Sequence, residues 1–284
     1  MQNLVRNPLA VKRFVPSKRA PSVSVEEALD TRRSVRAFLP TAVPRPEVER
    51  LLALAAKSPS NSNSQPWQVH VLIGEAQSAL TAALLHAHDN EGRAAENEYS
   101  YQLRPEDWAE PFKSRRREFG ERLYGETLGI TAADTAGRLA HHRRNYDFFG
   151  APVGMFLTVS RSSLGGGLVD AGLFLQSLML AARASGLDTC TQASFIDFHP
   201  VLRRHLRIPD DQIIVCGLSL GYADPLHPLN RLSMSREAVK KFTTFYEDDE
   251  RSTQFTAGLS SVSGAPSGSL KQEPLDSGRG RTAP

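Results

Sequence analysis

The stretch from Leu168 to Ser185 limits what this chain can become more than any other. At 3.6 residues per turn its Leu, Phe and Met side chains cover most of a helix circumference. A helix apolar on nearly every side must be covered all round, in a large core or at a subunit interface. Two runs flank it that read as buried strands, Val153–Ser160 and Ile213–Leu220. Gly165-Gly166-Gly167 leads into the helix, and Gly186 fits its C-terminal cap. The glycine triplet lacks both GxGxxG spacing and a following Lys-Ser/Thr, so it is no dinucleotide or P-loop signature.

The remaining elements interleave helices with strands. Ser24-Val25-Glu26-Glu27 is a capping box that starts a helix running toward Arg32. Pro46 suits the first turn of a second helix, whose apolar stripe is Val48, Leu51, Leu52 and Ala55, and Pro59 lies just beyond its end. A strand over Trp67–Ile73 stops at Gly74, and a helix follows from Glu75 to His86. Residues 88–127 read as a polar, irregular excursion carrying Tyr99, Tyr101, Trp108, Phe112, Phe119 and Tyr124; these suit either a lid or a dimer core. A helix is expected over Thr131–Tyr146, and Asp197 can cap a shorter one. The pattern is α/β (α+β) with a short central sheet and no internal repeat.

Charge is unevenly spread. The chain holds 34 Lys and Arg against 31 Asp and Glu, a net charge of +3. Five of those cations and none of the acids fall in the first 20 residues, so the remainder is slightly acidic. That balance gives a nucleic-acid binder no basic surface, and no apolar run is expected to reach the roughly 20 residues of a membrane span. The expected organisation is a basic arm (1–22), one domain (23–248) and a Ser/Gly/Pro-rich disordered tail (249–284). Cys190 and Cys216 fit buried reduced thiols in a cytoplasmic protein. His141-His142, His199 and His205 lack the spacing of a helical zinc pair and read as surface histidines. Arg115-Arg116-Arg117 reads as a solvated charge run, with a dinucleotide phosphate as its one functional alternative.

Two polar segments point to a ligand. Arg32-Arg33-Ser34-Val35-Arg36 puts three guanidiniums and a hydroxyl within five residues, suited to a phosphate. Ser58-Pro59-Ser60-Asn61-Ser62-Asn63-Ser64-Gln65-Pro66-Trp67 offers small hydrogen-bonding groups suited to a flat heterocycle. Singly, a basic helix end and a polar loop account for them. Joined by one helix, they let a single fold unit present both ends of a nucleotide-like cofactor.

These segments, with Ala184-Ser185-Gly186-Leu187-Asp188-Thr189-Cys190 and Val215-Cys216-Gly217-Leu218-Ser219-Leu220-Gly221-Tyr222-Ala223-Asp224 followed by Asn230-Arg231, resemble the motifs of the FMN-dependent nitroreductase family over roughly residues 24–245. The resemblance implies a central mixed sheet flanked by helices in an intertwined homodimer, with each FMN held by residues of both chains. It implies that Arg32, Arg33, Ser34, Arg36 and Arg231 hold the phosphate and ribityl end. Ser60, Asn61, Asn63 and Gln65 would line the ring and ribityl side, and Thr191, Gln192 and Ala193 would pass the ring near N5. Many relatives have Glu-Gly where this chain has Ala193-Ser194, so only a backbone contact carries over there. The implied chemistry is ping-pong reduction of a nitroaromatic or quinone-like substrate by NADPH or NADH, in keeping with a sequence that has no catalytic triad. Rival readings on the same fold are a reductive dehalogenase, a flavin-destroying enzyme, and a protein that stores or senses FMN without turnover.

Overall fold

The computed structural model describes residues 23–101 and 105–246; the expected arm and tail lie outside them. The Ser24 hydroxyl accepts the Glu27 N–H at 3.1 Å and opens α1 (Val25–Thr31). α2 (Arg45–Ala55) starts with Pro46 in its first turn and buries Val48, Leu51 and Ala55. β1 (Trp67–Ile73) and α3 (Glu75–His86) have the expected bounds. The excursion is not irregular throughout: it contains α4 (Phe112–Gly120), which winds on as wider turns to Thr127. α5 (Thr135–Arg143) is shorter than expected because the Asp134 carboxylate caps it, accepting the Gly137 N–H at 2.8 Å. β2 (Val153–Ser160) precedes α6 (Leu164–Ala184), which absorbs the glycine triplet and ends where Gly186 takes φ +75°. β3 (Asp188–Gln192), which the sequence pattern did not mark, is followed by α7 (His199–Leu206) and β4 (Gln212–Gly221). Asp197 caps no helix; Phe198 stands at the start of α7.

The sheet order is β1-β2-β4-β3, and all four strands pair antiparallel. The expected mixed character is confined to one parallel bridge, Ser34 with Thr189. β2 and β4 occupy the centre and are buried on both faces. On one face Val153, Met155, Leu157, Leu218 and Leu220 meet Ala171, Phe174 and Leu178 of α6 and Leu51 of α2. On the other, Phe148, Phe156 and Phe195 pack with Leu80 and Leu84 of α3 and Leu202 of α7. The aromatic face needs glycine in both central strands. A Cβ on Gly154 would fall 2.6 Å from the Phe148 ring, and one on Gly217 would fall 2.3 Å from the Phe195 ring.

α6 is long and apolar enough to cross a bilayer by length and composition, contrary to the sequence expectation. Only 28% of its most apolar window is buried. The uncovered part carries Val169 and Leu173, one turn apart. α1 and α2, both packed on α6, expose Val25, Leu29 and Leu54. Among the described residues, tertiary contact therefore covers the inner side of this helix and leaves an apolar outer side.

The β2–β4 ladder slips by one residue, pairing Leu157 with Cys216 and Thr158 with Ile214, so Val215 bulges. β3 is too short to reach this part of β4. Two residues of the excursion bond to its backbone instead: Tyr99 donates its hydroxyl to the Val215 carbonyl at 2.7 Å, and the Glu98 carboxylate accepts the Ile214 N–H at 3.1 Å. Glu98 is also paired with Arg203 and, at 3.0 Å, with Arg161. Burial raises the Tyr99 pKa and keeps its hydroxyl a donor.

Gly217→Ala is expected to lower unfolding free energy by about 2 kcal/mol through overpacking against Phe195. A urea midpoint equal to wild type would contradict this account of the aromatic face.

Candidate functional site

The arginine-rich segment leaves α1 in extended conformation and runs along the outside of β3. Val35 N–H donates to the Thr189 carbonyl at 3.0 Å, and Leu39 N–H to the Tyr222 carbonyl at 2.8 Å. Asn230 fixes the middle of the segment. Its Oδ1 accepts the Arg36 N–H at 3.0 Å, and its Nδ2 donates to the carbonyls of Ala37 (2.7 Å) and Asp224 (2.9 Å). Its own carbonyl accepts from Arg33 Nη1 at 2.9 Å. Arg33, Ser34, Arg36 and Arg231 thus gather around one turn, although Arg231 lies almost 200 residues downstream. Arg32 joins them on the side of Cys190, whose thiol feels the charges of both Arg36 and Arg32 although burial pushes its pKa up to about 11.

Beside this turn opens a cavity of about 620 Å³. Arg36, Thr191, Gln192 and Ala193 line it, four of the expected site residues. Phe119 and Tyr124 from the excursion form an aromatic wall, with the Arg36 guanidinium 5.4 Å from the Phe119 ring centre. The Gln192 side chain is buried and already engaged, donating to the Asn145 carbonyl at 2.8 Å and accepting from the Ser219 hydroxyl. Position 192 therefore offers a ligand its backbone. Ser194 and His142 also line the cavity; Ser194 Oγ and His142 Nδ1 are themselves buried and have no hydrogen-bond partner among the described residues.

His141 and His142 are half-buried and line the cavity, which corrects their reading as surface residues. The His141 ring packs between Tyr124 and Phe149. Burial, reinforced by the charges of Arg36 and Arg144, holds its pKa down at about 4, and His142 is lowered by burial and then by Arg93. Both imidazoles are neutral near pH 7. Arg116 also lines the cavity, so it does not belong to a wholly solvated run. Sequence reasoning missed the histidines because adjacent histidines on a polar helix carry no pattern. Asn230 was legible only as half of Asn230-Arg231, with no sign that its amide organises the turn.

The second polar segment lies elsewhere. Residues 58–67 run along α6, where the Ser58 hydroxyl donates to Ser177 Oγ at 2.7 Å. The Asn61 N–H faces the buried Asp170 carboxylate at 3.2 Å, and Trp67 packs on Phe174 with ring centres 5.0 Å apart. Ser60 Oγ accepts the Gln65 N–H at 3.0 Å. Ser62, Asn63 and Gln65 all take left-handed backbone angles, costly for non-glycine residues and held here by those anchors. Asn61, Asn63 and Gln65 are exposed.

The register shows how far apart the two segments are. Trp67 opposes Val159 at one end of β1, whereas Thr189 aligns through Leu220 and Val153 with Ile73 at the other end. Three interstrand steps of ~4.8 Å and six residues of ~3.4 Å separate them, about 25 Å corner to corner. One fold unit does not present both ends of one cofactor.

The model of the nitroreductase family matches residues 29–222. The chain belongs to that family. It is 50% identical over 219 residues to a 4-nitrobenzoate reductase of Nocardioides sp. (strain LMS-CY), covering 77% of this chain and 88% of that protein. A 4-nitrobenzoate reductase of Pseudomonas putida is 44% identical over 215 residues, 76% of this chain and 92% of that one. The crystal structure of the FMN-dependent nitroreductase NfnB from Mycobacterium smegmatis in complex with NADPH superposes with a TM-score of 0.73. It is 32% identical to this chain, covering 78% of this chain and 97% of the other. The nitroreductase-like fold expected from the sequence is thereby established.

The depressed histidine gives a signed pH dependence. In the unfolded chain His141 titrates near 6.5 and in the folded protein near 4, so between these values only the unfolded state takes the proton. Stability should fall as pH drops from about 6.5 to about 4. His141→Gln is expected to flatten part of that fall, measured as urea midpoints across the range; an unchanged slope would remove His141 as its cause.

Proposed function

We propose that this nitroreductase-family chain is an FMN-dependent reductase that uses NADPH or NADH to reduce nitroaromatic or similarly electron-poor compounds. The observation that carries the reading is the cavity beside the Arg36–Asn230 turn. An arginine-rich turn, represented in the lining by Arg36, stands at one end, an aromatic wall covers one side, and Ser194 and His142, each with a buried polar atom unpartnered among the described residues, stand in the lining. This donor set fits a phosphorylated flavin. Arg32, Arg33, Ser34, Arg36 and Arg231 would hold its phosphate and ribityl end, and the backbone of Thr191, Gln192 and Ala193 would pass the ring. FMN and NADPH are named for the M. smegmatis relative, and nitrobenzoate for two others, in support of the same reading.

FMN, when bound, supplies the hydride chemistry, for the net reaction ArNO₂ + NAD(P)H + H⁺ → ArNO + NAD(P)⁺ + H₂O. The protein's part is orientation and electrostatics. The arginine cluster fixes one end of the cofactor, the Thr191–Ser194 backbone orders the other, and Phe119 and Tyr124 limit water. His141 and His142, neutral at working pH, offer hydrogen bonds without adding charge.

We further propose a homodimer in which Ser60, Asn61, Asn63 and Gln65 of one chain complete the flavin site of the other. Two observations support it. These residues stand diagonally across the sheet from the arginine cluster of their own chain, and the outer side of α6 is apolar and uncovered by the described residues. On this reading residues 23–248 form the FMN domain, of which one compact unit ends at Met234. The two free buried thiols suit the cytoplasm.

Removing Arg32 or Arg231 is expected to weaken FMN binding about 10- to 100-fold, the loss of roughly 2 kcal/mol of charge-assisted bonding. Fluorescence titration of the flavin-free protein reads it directly, and unchanged affinity in both variants would sink the phosphate assignment. Purified protein should bleach its flavin with NADPH under nitrogen; a flavin that stays yellow would favour storage over turnover. Sedimentation at low micromolar concentration should give twice the 31.2 kDa chain mass, and a stable monomer would refute the shared site.

A further inference from the structure

The loop that would complete the shared site takes its support from α6. Gly166, Asp170, Phe174 and Ser177 stand at helical spacing along one ridge of that helix, and residues 58–67 lie against them. The Ser58 hydroxyl donates to Ser177 Oγ at 2.7 Å, and Ser177 in turn donates to the Leu173 carbonyl at 3.0 Å. Trp67 packs on Phe174 with ring centres 5.0 Å apart. The Asn61 N–H meets the Asp170 carboxylate, 3.2 Å from Oδ1 and 3.3 Å from Oδ2. Asn61 Nδ2 lies 4.0 Å from where a Cβ on Gly166 would stand.

Packing alone would not select Asp170 for this ridge. It is the only acid in α6, it is 5% exposed, and it adjoins the apolar layer to which Ala171, Phe174 and Leu178 belong. Burying a carboxylate is costly unless donors meet it. Among the described residues its one hydrogen-bond donor is the Asn61 N–H, and no guanidinium or ammonium pairs with it. A carboxylate accepts and cannot donate, so it admits one orientation of the Asn61 peptide, with the N–H inward. Just beyond that peptide the backbone turns through left-handed angles at Ser62 (φ 50°), Asn63 (φ 56°) and Gln65 (φ 47°), and the side chains of Asn61, Asn63 and Gln65 are exposed. Non-glycine residues keep such angles only where their surroundings over-determine them. The Ser60–Gln65 bond closes the turn on itself, and among the described residues the Asp170 contact is the hydrogen bond that ties it to the helix.

We propose that Asp170 is a positioning residue of the flavin site: it holds the Asn61 peptide so that the turn from Ser60 to Gln65 presents its amide side chains to the cofactor of a second chain. The proposal rests on the FMN and homodimer reading and adds to it the residue through which α6 sets the loop. Asp170 itself does not touch the flavin; it acts through the backbone of Asn61.

The test is a double-mutant cycle on FMN affinity, read by fluorescence titration of the flavin-free full-length chain, with sedimentation of each variant. Asn61→Ala removes a side chain that would meet the flavin and leaves the backbone N–H in place; it is expected to weaken binding about fivefold. Asp170→Ala should weaken it about 10-fold or more, and Asp170→Asn, which keeps one acceptor, about threefold, with the dimer intact in both. Adding Asn61→Ala to Asp170→Ala should cost less than about twofold further, because a displaced loop no longer delivers the Asn61 amide. A merely structural role would leave the Asn61 loss at its full size, so losses that multiply overturn the proposal. Where Asp170→Ala fails to fold, the cycle is run with Asp170→Asn, and the added loss should again fall short of about fivefold. Wild-type affinity in both Asp170 variants also overturns it, as does a monomeric Asp170→Asn, which would assign the carboxylate to subunit association. If those results come with weakened binding in Asn61→Ala, only the positioning role falls. If Asn61→Ala binds FMN as wild type does, the shared site falls and this proposal with it.

Discussion

Because β2 and β4 hold the centre of the sheet with both faces buried, only the two edges remain for anything that must meet a ligand. β1 occupies one edge and β3 the other. The arginine segment bonds along β3, and the Ser/Asn loop feeds the start of β1. Antiparallel register then sets these two ends at opposite corners. This constraint fixes the location of the cavity, the separation of the two polar segments, and the need for a second chain wherever both must act on one ligand. The central strands can hold that place only because Gly154 and Gly217 admit the rings of Phe148 and Phe195.

The polar excursion between α3 and α5 has a structural task as well as a chemical one. Glu98 and Tyr99 bond to backbone groups on the part of β4 that β3 is too short to cover, at the point where the ladder slips. Buried backbone groups without partners would cost about 1–3 kcal/mol each, so this strap belongs to the fold. The same anchoring brings Arg93 and Tyr101 to Asp197. Phe119 and Tyr124, farther along, face the cavity. This anchoring accounts for Tyr99 and Tyr101 within the chain.

Electrostatics within the cavity follow from the same packing. Two histidines are held neutral by burial beside arginines, and a carboxylate is kept among cations by a phenol and a guanidinium. Both imidazoles therefore add no charge to a cavity whose lining includes Arg36, Arg93, Arg116 and Asp197.

Much of the local structure was legible in the sequence. Trp67–Ile73 and Glu75–His86 have the predicted bounds because alternation, a terminal glycine and helical spacing all act within a few residues. The family resemblance, carried by short ordered motifs, agrees with the match over residues 29–222. Five-residue β3 was not legible, since Asp188–Gln192 is a strand only by virtue of β4 and the Ser34 bridge beside it. Nor was the environment of His141 and His142, whose neutrality depends on walls and charges contributed by distant parts of the chain. By itself the sequence determined which residues could grip a phosphate and which helix had to be covered, for these follow from side-chain chemistry and period. Only the tertiary structure decided which gripping residues share a cavity. Sheet order and register are long-range pairings that no local pattern encodes, and they brought Arg36 to Asn230 and Thr191 while sending Asn61 to the opposite corner.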